Sequence, residues 1–216
     1  TIYFYDDFNI VGNTLTNNGV SGVGWSDRWL YVSDSYEPLH VNEDISLSYP
    51  SSSSAMGSGG YIEESGDEEC VIERSFLNTY EMLNTTFYLS FLMQKDASGS
   101  FTLAGFGEGY LRYGLRIDAS GTVEVRGSAS WGEPTSTGVF ANDKTYLVVL
   151  AKDGIENKVA LFGEGDPLPS DPLNVNWIVA TSGKSGVDLE KLQFIFSSGN
   201  VKIDELRLGS TLQNVT

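Results

Sequence analysis

The segment YLRYGLRI at residues 110–117 carries two arginines and aromatic rings in a pattern that suits a polyhydroxylated ligand. Its apolar and polar residues alternate, which predicts a β-strand with Tyr110, Arg112 and Arg116 on the side opposite the core. Planar guanidinium groups suit paired hydroxyls or a carboxylate, and an aromatic ring offers an apolar surface for stacking. This side of the strand is therefore the first candidate for ligand binding.

Three further residues extend this candidate site. Tyr88 and Arg126 belong to other predicted strands, which we expect to lie beside the central one. Trp131 lies in the turn-rich segment SWGEP, residues 130–134, where an aromatic side chain is hard to bury. The competing interpretation is that the arginines form cross-strand pairs with Glu124 and other carboxylates.

The composition excludes several kinds of partner and site. The 216 residues include 13 basic and 29 acidic ones, for a net charge of −16, and such a chain repels nucleic acid, which is bound through basic patches. No apolar run reaches the roughly 20 residues that cross a bilayer, so membrane insertion is not expected. One cysteine, Cys70, and one histidine, His40, exclude an intrachain disulfide and a metal site built on two histidines. We interpret both residues as structural.

Predicted strands occupy most of the chain. Alternation or short apolar runs mark residues 86–94, 110–117, 121–127, 145–152, 158–163, 175–180, 191–197 and 201–208. Turn sequences at residues 96–99, 118–121, 153–154 and 198–200 predict β-hairpins. The aspartates in these turns are expected to bond the turn backbone rather than a metal ion.

This organisation predicts an all-β fold, a two-sheet antiparallel β-sandwich of roughly 12–15 strands. The Ser- and Gly-rich residues 50–60 are interpreted as a surface loop, so we predict one domain over residues 1–216. Trp25 and Trp29 are expected in its core, and Trp177 is expected to be half-buried.

Three segments together resemble a known family. They are Asp6-Asp7-Phe8-Asn9 with the Gly-Trp-rich residues 22–29, residues 113–117 with residues 145–149, and residues 203–211, which begin Ile-Asp-Glu-Leu-Arg. In this order they resemble the concanavalin-A-like, laminin-G-type jelly-roll domains of bacterial secreted and surface proteins. The resemblance implies two antiparallel sheets, one of them concave, and an extracellular or cell-surface location, with the signal peptide outside this chain.

The same resemblance implies a structural Ca²⁺ ion near the chain ends, since the first and last strands are neighbours in this family. The residues that would bind it are Asp6, Asp7, Asp204 and Glu205, because carboxylates suit the irregular oxygen coordination of calcium. The alternative is that these acids simply face water.

Jelly rolls of this kind include sugar-binding, catalytic and structural domains. The Glu-x-Asp-x-Glu motif of laminarinase-like members is absent, since Glu164-Gly165-Asp166 continues into proline and leucine, and the Gln-Ile-His segment of jelly-roll alginate lyases is absent too. We therefore expect a non-catalytic, carbohydrate-binding (lectin-like) module whose partner is a polysaccharide or glycan. A structural or adhesive surface domain is the alternative, and a polysaccharide hydrolase or lyase is a weaker one. The sequence leaves the oligomeric state open.

Overall fold

The computed structural model describes residues 2–6, 29–32, 40–42, 47, 61–64, 69–81, 86–107, 110–126, 140–153, 156–168, 171–181 and 188–216. These residues form fourteen strands: β1 (Ile2–Asp6), β2 (Leu30–Tyr31), β3 (His40–Asn42), β4 (Tyr61–Glu64), β5 (Cys70–Glu81), β6 (Phe87–Lys95), β7 (Ser100–Gly107), β8 (Tyr110–Ile117), β9 (Val123–Arg126), β10 (Tyr146–Asp153), β11 (Glu156–Gly163), β12 (Ile178–Thr181), β13 (Asp188–Ser198) and β14 (Val201–Gly209). The helical elements described are two short 3₁₀ turns, Pro172–Asn174 and Leu212–Asn214. Within the described ranges, no helix has the length and apolar content that crossing a bilayer requires.

The strands pair antiparallel in two sheets. The eight-stranded sheet has the order β12-β11-β10-β6-β14-β4-β3, with β1 also paired to β14. The six-stranded sheet has the order β2-β5-β13-β7-β8-β9. The predicted all-β fold, a two-sheet antiparallel β-sandwich, is confirmed.

The main core lies between the two sheets and follows from the period-two pattern of the strands. Leu89 and Phe91 on β6 are fully buried there against residues of the other sheet such as Phe194 on β13. Trp29 and Cys70 belong to the same cluster, as predicted, and both are 1% exposed. Each large apolar side chain buried in this way contributes about 1.5–3 kcal/mol, so this core holds the two sheets together.

A second apolar cluster covers the outer face of the eight-stranded sheet. Tyr88 and Leu92 of β6 belong to it, and Leu212 and Val215 pack over that face from beyond the last strand. The Ser90 hydroxyl donates to the Val215 carbonyl oxygen at 2.6 Å and ties this covering segment to the sheet. Because β6 is buried on both faces, its sequence FYLSFLMQK is apolar along most of its length.

Two of the four predicted hairpins are confirmed. β8 and β9 pair across the turn at residues 118–121, where Gly121 adopts a φ of +84°, and β10 and β11 pair after Asp153. The other two predictions are wrong. Residues 96–99 join β6 to β7 and residues 198–200 join β13 to β14, and each connection passes from one sheet to the other.

These two inter-sheet connections pack against each other. The Asp96 N–H donates to the Asn200 carbonyl oxygen at 3.0 Å, and the Ser198 hydroxyl donates to the Ser98 carbonyl oxygen at 2.8 Å. Gly199 has a φ of +67°, and a side chain there would collide with the facing connection. The Asp96 side chain accepts the Ser98 N–H at 2.9 Å, so it bonds the turn backbone as predicted. Turn residues thus show where the chain reverses but not which sheet the next strand joins.

Candidate functional site

The outer face of the six-stranded sheet is lined mainly by polar residues, and we call it the polar face. On β13, Leu192 and Phe194 are buried in the core, so Lys191 and Gln193 lie on the opposite side of the strand. The described residues of the polar face include the polar Glu73, Ser75, Thr102, Arg116, Glu124, Lys191 and Gln193 and the apolar Leu30, Val71, Ala104 and Ile195. They come from six adjacent strands, so the sheet itself brings them together.

Glu73 is the centre of a hydrogen-bonded group on this face. Its Oε2 atom accepts from the Lys191 ammonium at 2.7 Å and from the Gln193 side-chain amide at 2.8 Å. The Lys191 ammonium also lies 5.6 Å from the centroid of the Phe106 ring. A carboxylate, an amide, an ammonium and an aromatic ring therefore stand side by side at one corner of the polar face.

The same contacts decide the charge of Glu73. Burial by itself raises the pKa of its carboxyl, but the hydrogen bonds from Lys191 and Gln193 and the charge of Lys191 outweigh that effect, and the pKa lies below 4.5. Glu73 is therefore an ionised hydrogen-bond acceptor at neutral pH. The acid of a glycosidase needs the opposite shift, because it must hold a proton.

Small residues separate this corner from the other side of the polar face. Gln193 pairs with Ala104 on β7, and Ala104 pairs with Gly114 on β8. Neighbouring strands lie about 4.8 Å apart, so β13 and β9 are roughly 14 Å apart with small residues between them. Ala104 is only 2% exposed, so the exposed polar atoms of this face lie on either side of the strip of small residues rather than in it.

Arg116 and Glu124 lie on the far side of this strip of small residues. Arg116 Nη1 lies 3.7 Å from Glu124 Oε2, and the Arg116 side chain is 51% exposed. The cross-strand pair that the sequence left open is therefore present. At this distance it is an ion pair without a hydrogen bond, so the guanidinium donors stay available to a ligand.

Glu73 and Glu124, two described carboxylates of the polar face, are too far apart for paired acid–base chemistry. Glu73 lies on β5 and Glu124 on β9, four strand positions away. At about 4.8 Å a strand this is roughly 19 Å along the sheet, whereas the carboxylate pairs of glycosidases lie about 5–10 Å apart. These two residues therefore cannot act as a catalytic pair.

Comparison with known proteins places the fold. No family model matches the chain, and no curated protein matches it. Among solved structures, a sialidase superposes with a TM-score of 0.55 at 11% identity over 85% of this chain, which spans 17% of the sialidase chain. The CBM2 module of the evolved Dit protein of Lactobacillus casei BL23 phage J-1 superposes with a TM-score of 0.53 at 12% identity, over 100% of this chain and 96% of that one. The Emp47p carbohydrate recognition domain superposes with a TM-score of 0.51 at 10% identity, over 97% and 95% of the two chains.

The fold is that of a concanavalin-A-like jelly roll. The fold that the sequence resemblance implied is confirmed. At identities of 10–12% these similarities show the fold alone.

The predicted ligand-binding residues are divided within this jelly roll. Arg116 lies on the polar face. Tyr110 and Arg112 lie on the same strand, β8, and Arg126 lies on β9 opposite Gly114. Trp131 lies outside the described residues. Four of the six residues are therefore on two neighbouring strands, and their role in binding stays a prediction.

Tyr88 lies apart from these four. It is on β6 of the eight-stranded sheet, is 7% exposed, and has its ring 6.5 Å from that of Trp177, which is half-buried as predicted. Burial, aided by the charge of Asp153, raises the pKa of the Tyr88 hydroxyl. The expectation that Tyr88 lies on a strand beside β8 is wrong, because residues 96–99 carry the chain from one sheet to the other.

Sequence reasoning missed Glu73, Lys191 and Gln193. A signal was present, since Lys191 and Gln193 alternate with Leu192 and Phe194 as in a half-buried strand. What the sequence does not show is that β5, more than a hundred residues earlier, pairs with β13 and sets Glu73 opposite Gln193.

The predicted calcium ligands require separate treatment. The terminal strands are neighbours, as the resemblance implies, since β1 pairs with β14. The Asp6 carboxylate, however, accepts hydrogen bonds from the Arg74 guanidinium and from the Trp29 indole, the latter at 3.0 Å. The Asp204 carboxylate accepts from the backbone N–H groups of Leu47 and Glu205, both at 2.8 Å.

Glu205 is engaged in the same way. Its Oε2 atom accepts from Arg207 Nη2 at 3.0 Å. Asp7 lies outside the described residues, and within the described residues no group of three or more His, Cys, Asp or Glu side chains is arranged to hold a metal ion. The geometry gives the predicted site no support at Asp6, Asp204 and Glu205, and a bound calcium ion stays a prediction.

Proposed function

We propose that this domain binds a carbohydrate, without catalysis, on the polar face of the six-stranded sheet. The observation that carries the proposal is the Glu73–Lys191–Gln193 group beside the strip of small residues. Sugar hydroxyls both donate and accept, and this group offers an ionised acceptor, an amide and an ammonium close together. Arg116, whose side chain is 51% exposed, offers further donors on the other side of that strip.

The comparisons support the proposal in part. Emp47p is named for a carbohydrate recognition domain and the phage protein for a CBM2 module, and this chain covers nearly all of both. The sialidase is an enzyme by name, so the comparisons leave catalysis open. The absence of catalysis is our proposal, supported by the separation of Glu73 and Glu124 and by the ionised state of Glu73.

The location of the domain is a separate part of the proposal. We place the domain outside the cell or at its surface, which follows from the family resemblance and suits an acidic protein with a glycan partner. Calcium has no role in the binding step proposed here, because its described predicted ligands, Asp6, Asp204 and Glu205, lie on the eight-stranded sheet.

A glycan-array screen of the purified domain tests the function, with Lys191→Gln and Lys158→Gln as matched variants. Both lysines form ion pairs, but Lys158 bonds Asp153 and Glu156 on the eight-stranded sheet. We expect Lys191→Gln to weaken glycan binding about tenfold, the usual effect of losing one charged hydrogen bond. Lys158→Gln should leave the affinity unchanged.

Other outcomes would contradict the proposal. Binding to no glycan would favour a structural or adhesive domain instead. Release of reducing sugars or of unsaturated products from a polysaccharide would establish catalysis. Equal losses of glycan affinity in the two lysine variants would mean that the binding site does not lie on the polar face. Trp131→Ala tests separately whether that residue contributes a stacking surface.

A further inference from the structure

A buried ion pair joins the two sheets where the first strand meets the last. Asp6 ends β1 of the eight-stranded sheet and is 0% exposed, while Arg74 lies on β5 of the six-stranded sheet and is 1% exposed. Their side chains bond each other across the interior of the sandwich. The Trp29 indole donates to the same Asp6 oxygen at 3.0 Å, and its ring lies 5.9 Å from the Arg74 guanidinium carbon.

The adjacent segment of β14 also satisfies its carboxylates internally. β4 pairs with residues 201–203 and β1 with residues 206–209, so Asp204 and Glu205 lie where one partner strand gives way to the other. Glu205 adopts a φ of +53° within a bulge. Two backbone N–H groups bond the Asp204 carboxylate, and Arg207 bonds that of Glu205.

This donor set does not fit a calcium ion. Ca²⁺ takes six to eight oxygen ligands, several of them carboxylate oxygens directed at one point. Here a guanidinium and an indole N–H are directed at Asp6, and a second cation beside Arg74 would be repelled. A buried carboxylate needs a compensating charge, and Arg74 already supplies one.

A second buried cation, also bonded by oxygen atoms of the chain, lies elsewhere in the fold. Lys95 is 0% exposed, and its ammonium donates to the carbonyl oxygens of Asp96 and Ala119, both at 3.1 Å, and to Asn142 Oδ1 at 3.0 Å. An ammonium has three protons, and all three are matched. Three oxygen atoms that converge from three connections are thus held together by a lysine of the chain.

We infer that this jelly roll is closed by its own buried cations, and that Arg74 takes the place of the calcium ion at the junction of the terminal strands. The inference goes beyond the proposed function and does not depend on it. The inference can be correct even if the domain binds no glycan, and it can be wrong even if the domain binds one.

Thermal unfolding of the purified domain in excess Ca²⁺ and in excess EDTA tests the inference. We expect the same Tm in both. A wild-type Tm that is higher in Ca²⁺ than in EDTA would overturn the inference, because the closed junction would then depend on the ion.

Variants test the ion pair itself. Arg74→Met should lower the Tm by roughly 10 °C, since it leaves Asp6 buried without a partner. Adding Asp6→Asn should restore part of that loss, whereas Arg116→Met, an exposed arginine of the same sheet, should have little effect. If Arg74→Met does not fold, the Tm of the milder variant Arg74→Lys is compared with that of Arg116→Met instead. Equal Tm values for Arg74→Met and Arg116→Met would contradict the assignment.

Discussion

The outer faces of the two sheets differ, although both belong to one sandwich. The face of the eight-stranded sheet is covered by a second apolar cluster, with Leu212 and Val215 packed over β6 and β10. The polar face of the six-stranded sheet carries the Glu73–Lys191–Gln193 group and the Arg116–Glu124 pair. One face therefore adds to the stability of the fold, and the other directs polar side chains outward.

The largest effect that separates the two faces is expected at Leu212. It is 1% exposed and lies in the covering cluster. Leu212→Ala should lower the free energy of unfolding by about 2–5 kcal/mol, because it removes buried apolar surface and leaves a cavity. Urea denaturation measures this loss. The glycan affinity of the folded protein should not change, and a parallel loss of affinity would show that the two faces are coupled.

Glu73→Gln should have a smaller, pH-dependent effect on stability. The folded-state pKa of Glu73 lies below its ordinary value of 4.5, so its ionised form contributes stability that is fully present above about pH 4.5 and is lost as the pH falls through the folded-state pKa. The variant should be about 1 kcal/mol less stable at neutral pH, because the ion pair is only partly buried.

Unfolding free energies of wild type and Glu73→Gln, measured from neutral pH downward, check this prediction. The difference between the two proteins should disappear in acid. A difference that stays constant down to low pH would mean that the charge of Glu73 does not stabilise the polar face.

Arg116→Gln should have the smallest effect on stability, within about 0.5 kcal/mol, since the side chain is half-exposed. If Arg116 contacts the ligand, the variant should nevertheless weaken glycan binding several-fold. Glu124→Gln is the matched control, because it removes the same ion pair but keeps the guanidinium. Equal effects of the two variants on affinity would assign Arg116 to the cross-strand pair alone.

Eight of the fourteen strands, β6 and β8 to β14, could be predicted from local sequence. The alternation in residues 110–117 gave β8 with its observed bounds, and the predicted strand at residues 201–208 differs from β14 by one residue. Local patterns suffice here because one face of each strand is buried in the main core, which fixes a period of two. β1 to β5 and β7 were not among the predicted strands. In β7 the Ala-Gly sequence explains this, since small residues give little apolar contrast.

The candidate site could not be predicted, because its parts meet only through long-range pairing. Glu73 reaches Lys191 and Gln193 because β5 and β13 are neighbours, and no local pattern encodes that pairing. Tyr88 was assigned beside β8 for the same reason, since a turn sequence does not tell whether the next strand stays in the sheet. The partners of Asp6, which are Arg74 and Trp29, also come from distant segments.

The arrangement around β14 has a consequence for the order of folding. One side of this strand pairs with β6, and the other is shared by β4 and β1. Residues 2–6 and 61–64 therefore lack their β14 partner until residues 201–209 have been synthesised. The chain therefore exposes unpaired strand edges until β14 is available, and closure of the sandwich is expected to be slow, as is usual for topologies dominated by distant contacts.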